Sequence, residues 1–328
     1  MPKPKLSMYW AASCGGCEVA LVNLNEKILD VDANFDFMFC PCLLDTKKKD
    51  IEALADGDIA ITLFNGALRT DENVEMAHLM RKKSKVLIAF GSCSSEGCIP
   101  ALGNLFSTKD TMDTVYQTGA SVVNPKQVRP QAESVVPEGT LTLPRFLARA
   151  KALAEEVEVD YFIPGCPPEP HQIWNVIQAV LSGKPLPPKG SMLGAGVSTV
   201  CNECVRKRTD KHIMEFRRTY EFIPNAEECL LEQGLVCMGI ATRDGCGALC
   251  PKVNMPCTGC YGPSEGVHDQ GAKMIGALGS SVSIEDIKEM REEDINARID
   301  AQISKIPDMA GTFYRYSLAG SLLKGKIK

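Results

Sequence analysis

Short apolar runs recur through the first half of the chain: Lys5 to Tyr9, Phe35 to Phe39, Ile59 to Phe64, Lys85 to Phe90 and Val157 to Ile163. Each is bounded by Gly, Pro, Ser or Cys, and several carry β-branched or aromatic residues, so each predicts a buried strand. Between them the apolar positions take a helical spacing. Gly16 to Asp30 sets Leu21, Leu24 and Ile28 on one face, Lys48 to Ala55 gives a short helix, and Asp71 to Lys83 opens acidic and closes basic, as the helix dipole favours. Strands alternating with helices predict an α/β fold, a parallel sheet covered on both faces as in flavodoxin-like proteins. Pro167-Pro168 then starts a last helix, Glu169 to Leu181, which closes a first domain over residues 1–183.

Other stretches are less regular. Ser107 to Gln117 predicts a helix, whereas Ser121 to Thr140 is polar, carries Pro125, Pro130 and Pro137, and predicts an irregular insertion. Gly183 to Gly196, rich in Pro and Gly, predicts a linker into a second domain over residues 184–328, where no strand alternation stands out. Ile284 to Ile303 has an amphipathic spacing, with Ser283 and Asp286 resembling a capping box, and predicts a helix docked on the core or at the tail, with packing against a partner subunit as the sharper alternative.

At 328 residues and 45% hydrophobic, the chain can bury a core and fill two domains. A net charge of −5 argues against nucleic acid or an anionic membrane as the main partner. The run Lys47 to Lys49 predicts a solvated loop. The start of the chain has neither an apolar signal core nor twin arginines, which gives the cytoplasm as the expected compartment. In such a reducing setting, fifteen cysteines are better explained as metal ligands than as disulfides.

Where the cysteines fall carries more than their number. Cys14 and Cys17 follow the first strand, Cys93 follows the fourth in Gly91-Ser92-Cys93, and Cys166 follows the fifth in Pro164-Gly165-Cys166-Pro167-Pro168. All leave carboxyl ends of strands, the edge of a parallel sheet at which ligands bind, so four thiolates remote in sequence could meet there. Cys40, Cys42 and Cys98 take the commonest role of a free cysteine, a small buried hydrophobe. In the second half, Cys201, Cys204, Cys229, Cys237, Cys246, Cys250, Cys257 and Cys260 divide into two sets of four. Four thiolates hold either one zinc ion or one 4Fe-4S cluster.

The segment from Arg243 through Cys246, Cys250, Cys257 and Cys260 to Pro263 resembles the medial-cluster motif of nickel-iron hydrogenase small subunits. Cys14, Cys17, Cys93 and Cys166 look like that family's proximal-cluster ligands, and Cys201, Cys204, Cys229 and Cys237 are similar to its distal set. The resemblance covers essentially the whole chain, with the three groups in the family's order. Many periplasmic members have His at the position of Cys201 and a proline near that of Cys250. Four cysteines at each place therefore imply three 4Fe-4S clusters. No bacterial-ferredoxin run of the kind carried by F420-reducing members is present, so the nearer likeness is to F420-non-reducing, viologen-reducing subunits.

That resemblance implies a redox subunit that drains electrons from H2 oxidation. Nickel and iron would sit in a separate large subunit facing the proximal cluster, and electrons would leave through the medial and distal clusters to a further iron-sulfur subunit linked to heterodisulfide reductase. Glu18, beside a proximal ligand, is a candidate proton relay, with a surface or helix-start charge as the plainer explanation. Cys98, five positions after Cys93, could compete for the proximal iron. Two alternatives stand beside this reading: an F420-reducing or NAD(P)-linked hydrogenase subunit, and a non-redox zinc protein.

Overall fold

The computed structural model of the chain describes residues 2–183, 185–209, 211–283, 290–306 and 308–325. It divides into two compact units, one of residues up to Leu193 together with those from Leu318 on, the other Gly194–Ser317. Where the Pro- and Gly-rich linker suggested a boundary at 183/184, the first unit continues through Leu193, because the linker itself pairs with the sheet. The Phe162 amide is bonded to Ser191 O at 3.1 Å and the Leu193 amide to Phe162 O at 2.7 Å.

The first unit is built on five parallel strands: β1 (Lys5–Trp10), β2 (Asp36–Phe39), β3 (Ile59–Asn65), β4 (Ser84–Phe90) and β5 (Tyr161–Ile163), in the order 2-1-3-4-5. That order and the pairing are those of a flavodoxin-like sheet. Alternation along each strand sends successive side chains to opposite faces. Leu6, Met8, Leu63, Ile88 and Phe90 join one apolar cluster with Leu21, Val31 and Ile173. Tyr9, Ile59, Phe64, Leu87 and Ala89 join the other with Ile51, Met76 and Met80. Each large side chain so buried contributes about 1.5–3 kcal/mol. The polar side chains buried inside the sheet satisfy one another: Ser7, Thr62 and Ser84 form a chain of hydroxyls with both gaps at 2.6 Å.

The predicted helix over Gly16 to Asp30 is broken. Gly16–Val22 ends at Asn23, and a left-handed residue at Asn25 (φ 55°) precedes a second helix, Ile28–Asn34. Lys48 and Lys49 are not a solvated loop, since they open the helix Lys48–Glu52 and Lys48 pairs with Glu75 at 2.5 Å. The helix over Asp71–Lys83 forms as expected, capped by Thr70. The polar insertion holds more order than its composition suggested: Glu133–Val136 and Gly139–Thr142 form an antiparallel hairpin, and Phe146–Lys151 pairs with Leu68–Thr70. The expected helix after Ser107 is shorter, Thr108–Asp113, continued by a wider turn over Thr114–Thr118.

The end of the chain returns to this unit. The Gly320 amide bonds Glu96 O, the Asn104 side chain donates to Lys324 O at 3.2 Å, and Ala319 packs so tightly on Gly97 that a Cβ at Gly97 would stand 2.5 Å from it.

The second unit carries short helices and isolated β-bridges, among them Val200–Glu203, Leu249–Lys252, Gln270–Ser281 and Glu292–Ile303. The last of these has no buried residue, so it is not the core-docked helix its spacing predicted. The suggested capping box at Ser283 and Asp286 lies partly outside the described residues, as does the start of that predicted helix. Among the described residues no helix is long and apolar enough to cross a membrane.

Candidate metal centres

Three loops at the carboxyl edge of the sheet bring four distant thiols together. After β1, Gly15 takes a left-handed turn (φ 81°) that starts the helix carrying Cys17, with Cys14 exposed just before it. After β4, Gly91 (φ 84°) leads into the short helix Ser92–Glu96 that holds Cys93. After β5, Gly165 (φ 130°) precedes Cys166, which is joined to Pro167 by a cis peptide bond. The last two loops are laced: the Gly91 amide donates to Ile163 O and the Ser92 amide to Gly165 O, both at 2.8 Å. Gly91 has to be glycine on two counts, because a Cβ there would lie 2.5 Å from the Cys17 sulfur.

Burial pushes the Cys17 thiol well up, and Cys93, Glu18, Cys166 and Cys14 push it further. Thiols arranged so closely resist ionising together unless a cation offsets their charge. Soft thiolates gathered from three glycine-bearing loops at the sheet edge are the donor set of an iron-sulfur cluster.

Cys98 belongs to the same neighbourhood. It is wholly buried, and its sulfur lies 3.6 Å from that of Cys166. The Cys98 thiol donates, which lowers the Cys166 thiol, while bonds to Cys166 and Cys93 together with burial raise Cys98 itself. It is a buried residue, as expected, but one that touches two of the four candidate ligands. Cys42, by contrast, is exposed and does not fill the core.

Glu18 is no surface charge. It is 6% exposed, and both its oxygens accept from Asn65 Nδ2, at 2.8 and 2.9 Å. Asn65 ends β3, so the carboxylate is fixed from the sheet and the helix start at once. No periodicity could have paired these two residues, which lie on different elements.

In the second unit, Cys201, Cys204, Cys229 and Cys237 line one cavity. Burial, then Cys237 and Cys229, push Cys201 up to about 12, with Arg208 opposing. Burial raises Cys237 to about 11 against the amides of Gly239 and Cys257. Gly239 keeps the wall thin, since a Cβ there would sit 3.4 Å from the Cys201 sulfur. The buried Arg206 ties the surrounding loops. Its guanidinium donates to the carbonyls of Pro251 (2.9 Å), Asn225 (2.7 Å) and Glu228 (3.0 Å) and to Asn254 Oδ1 (2.6 Å).

The remaining set is less gathered. Cys257 is buried and its thiol lies well above the usual range through burial and then through Cys237, on whose sulfur its own amide rests at 3.3 Å. Cys260 stands beside it, Cys250 is exposed on the helix Leu249–Lys252, and Cys246 lies 3.5 Å from Glu203 Oε1. Glu203 accepts from the amides of Gly245 and Ala248, both at 3.1 Å, so a carboxylate from between Cys201 and Cys204 anchors the loop of Cys246. Among the described residues, no three His, Cys, Asp or Glu side chains converge on a point suited to a single metal ion.

Residues 14–180 match the family described as NADH ubiquinone oxidoreductase, 20 Kd subunit. Over 328 residues, 98% of each chain, the sequence is 40% identical to the iron-sulfur subunit of the F420-non-reducing hydrogenase of Archaeoglobus profundus. It is 35% identical to an F420-non-reducing hydrogenase subunit of Methanothermobacter marburgensis, covering 99% of this chain and 98% of that one. Among solved structures, a chain of the Dm. baculatum [NiFeSe]-hydrogenase shares the fold, with a TM-score of 0.52 at 18% identity over 81% of this chain and 96% of that one.

Proposed function

Since this chain belongs to the small subunits of nickel-iron hydrogenases, alongside those of the F420-non-reducing hydrogenases, we propose that it is a three-cluster electron conduit. Cys14, Cys17, Cys93 and Cys166 would hold a proximal 4Fe-4S cluster, Cys246, Cys250, Cys257 and Cys260 a medial one, and Cys201, Cys204, Cys229 and Cys237 a distal one. Bound there, the clusters would supply single-electron transfer without moving protons in bulk. The gathering of four thiols from three loops at one sheet edge carries this reading, because a shared ligand gives a reason for four thiols remote in sequence to lie so close.

The chain's own residues do the positioning. Gly91 and Gly239 leave room at the thiols, Arg206 fixes the loops around Cys229 and Cys250, and the Cys257 and Gly239 amides offer hydrogen bonds to the Cys237 sulfur. Such N–H donors stabilise sulfur-borne negative charge and so tune the potential at which an electron is accepted. The partner is a large subunit carrying nickel and iron, in the cytoplasm, and the acceptor is a further iron-sulfur subunit linked to heterodisulfide reductase. Glu18 serves as a proton relay at the edge facing the large subunit.

Anaerobic purification with the large subunit, followed by iron and sulfide analysis, tests the reading. About twelve of each per chain is expected. Colourless protein containing zinc and no sulfide overturns it.

A further inference from the structure

Two cysteines outside all three ligand sets touch each other. Cys40 and Cys42 follow β2 in the segment Phe39-Cys40-Pro41-Cys42-Leu43, and their sulfurs lie 3.3 Å apart. The backbone makes this contact durable. Leu43 and Leu44 both donate their amides to Cys40 O, at 2.9 and 2.8 Å, closing a tight turn with Pro41 at its first corner. Proline presets the backbone angle that this corner needs, so the turn is formed before any chemistry begins. The two thiols differ in access. Cys40 is 1% exposed and packs in the apolar cluster with Leu21, whereas Cys42 is exposed.

We propose that Cys40 and Cys42 form a dithiol–disulfide couple that exchanges with low-molecular-weight disulfides, Cys42 being the sulfur that meets the substrate and Cys40 the one that resolves it. At 3.3 Å the two sulfurs are in direct non-bonded contact. A disulfide needs its sulfurs at about 2.05 Å, and Cys40 and Cys42 already face each other across Pro41 on one turn.

The steps balance. The Cys42 thiolate attacks one sulfur of a small disulfide, whose S–S bond breaks, and the departing thiolate takes up the proton that Cys42 lost. Cys40 then attacks the Cys42 sulfur of the mixed disulfide, the bond to the substrate breaks, and the second small thiol leaves with the proton of Cys40. Two electrons pass from the cysteine pair to the disulfide, giving two small thiols and one Cys40–Cys42 bond. Burial, and then the contact with Cys42, raise the Cys40 thiol, which disfavours Cys40 as the first nucleophile. The couple does not draw on the cluster ligands, so it stands or falls separately from the electron conduit.

Trypsin gives a direct readout, because the peptide Ile28–Lys47 contains Cys40 and Cys42 and no other cysteine. The intact anaerobic complex is equilibrated in glutathione buffers of increasing oxidised fraction, quenched with N-ethylmaleimide and digested. The expected result is one transition from a doubly labelled peptide to an unlabelled peptide lighter by two hydrogens, with iron content unchanged. Cys40→Ser should trap a glutathione adduct on Cys42, and Cys42→Ser should leave Cys40 without one in the folded protein. A doubly labelled peptide at every ratio overturns the proposal. So does an adduct on Cys40 in the Cys42→Ser protein, or oxidation that proceeds only as iron is lost.

Discussion

Arg206 donates from Nε to the carbonyl oxygen of Pro251 at 2.9 Å, linking the turn after Cys204 to the residue that follows Cys250. The rest of its fork reaches Asn225, Glu228 and Asn254, so one buried side chain fixes the backbone beside three candidate ligands, Cys204, Cys229 and Cys250.

Arg206→Lys keeps the charge but not the fork, because one ammonium cannot reach four oxygens spread around a planar guanidinium. Buried carbonyls left unpaired cost about 1–3 kcal/mol each. Thermal unfolding of the anaerobic protein should shift down by about 3 kcal/mol of stability, with iron lost mainly from the second unit. Unchanged melting and iron content would show that Arg206 is dispensable there.

At Gly91 the backbone angle and the Cys17 sulfur both reject a side chain. Gly91→Ala should cost about 1–3 kcal/mol through strain. Because Cys17 must give way, iron should fall from about twelve to about eight per chain. Full iron content in this variant would contradict the assignment of Cys17 as a ligand.

Asp160, buried ahead of β5, receives Arg81 at 2.6 Å, the Leu87 amide at 2.8 Å and Lys189 at 2.5 Å. Burial opposes its ionisation, but the bonds from Lys189, Leu87 and Arg81 outweigh it and hold the carboxyl below the usual range. A depressed folded value means that its stabilisation is complete above the unfolded value, about 3.9, and is lost as pH falls through the lower folded value. Asp160→Asn should therefore lose about 3 kcal/mol at neutral pH and show a shallower acid limb in circular dichroism. A wild-type acid limb retained in full would assign that limb to other carboxyls.

Glu18→Gln keeps the size of the side chain and removes its charge and its proton. If the carboxyl passes protons at the edge of the first unit, H2/D2 exchange by the assembled enzyme should fall on the order of a hundredfold. Cluster content should not change. Unaltered exchange and unaltered turnover would eliminate the relay.

Much of this was legible in the residues. The five strands fall within a few positions of their apolar runs, and the loops bearing Cys14, Cys17, Cys93 and Cys166 share the expected edge, because buried parallel strands write an unbroken hydrophobic signal. What escaped was encoded between distant residues. The hairpin Glu133–Val136 with Gly139–Thr142 is almost wholly exposed, so no apolar alternation announced it. Glu18 and Asn65 meet through tertiary packing, and so do Cys98 and Cys166, for which the spacing from Cys93 was the sole hint. The break in the predicted Gly16 to Asp30 helix turns on a single left-handed Asn25, a residue type that tolerates either conformation.

The return of the segment from Leu318 on to the first unit has a temporal side. Ala319 seals Gly97, and Gly320 bonds the helix that bears Cys93, yet both are made only after the whole of Gly194–Ser317. Domains generally fold from the amino end as they emerge. The sheet can thus assemble early while the wall behind Cys93 and Cys98 stays open until Ala319 and Gly320 have followed the second unit in synthesis.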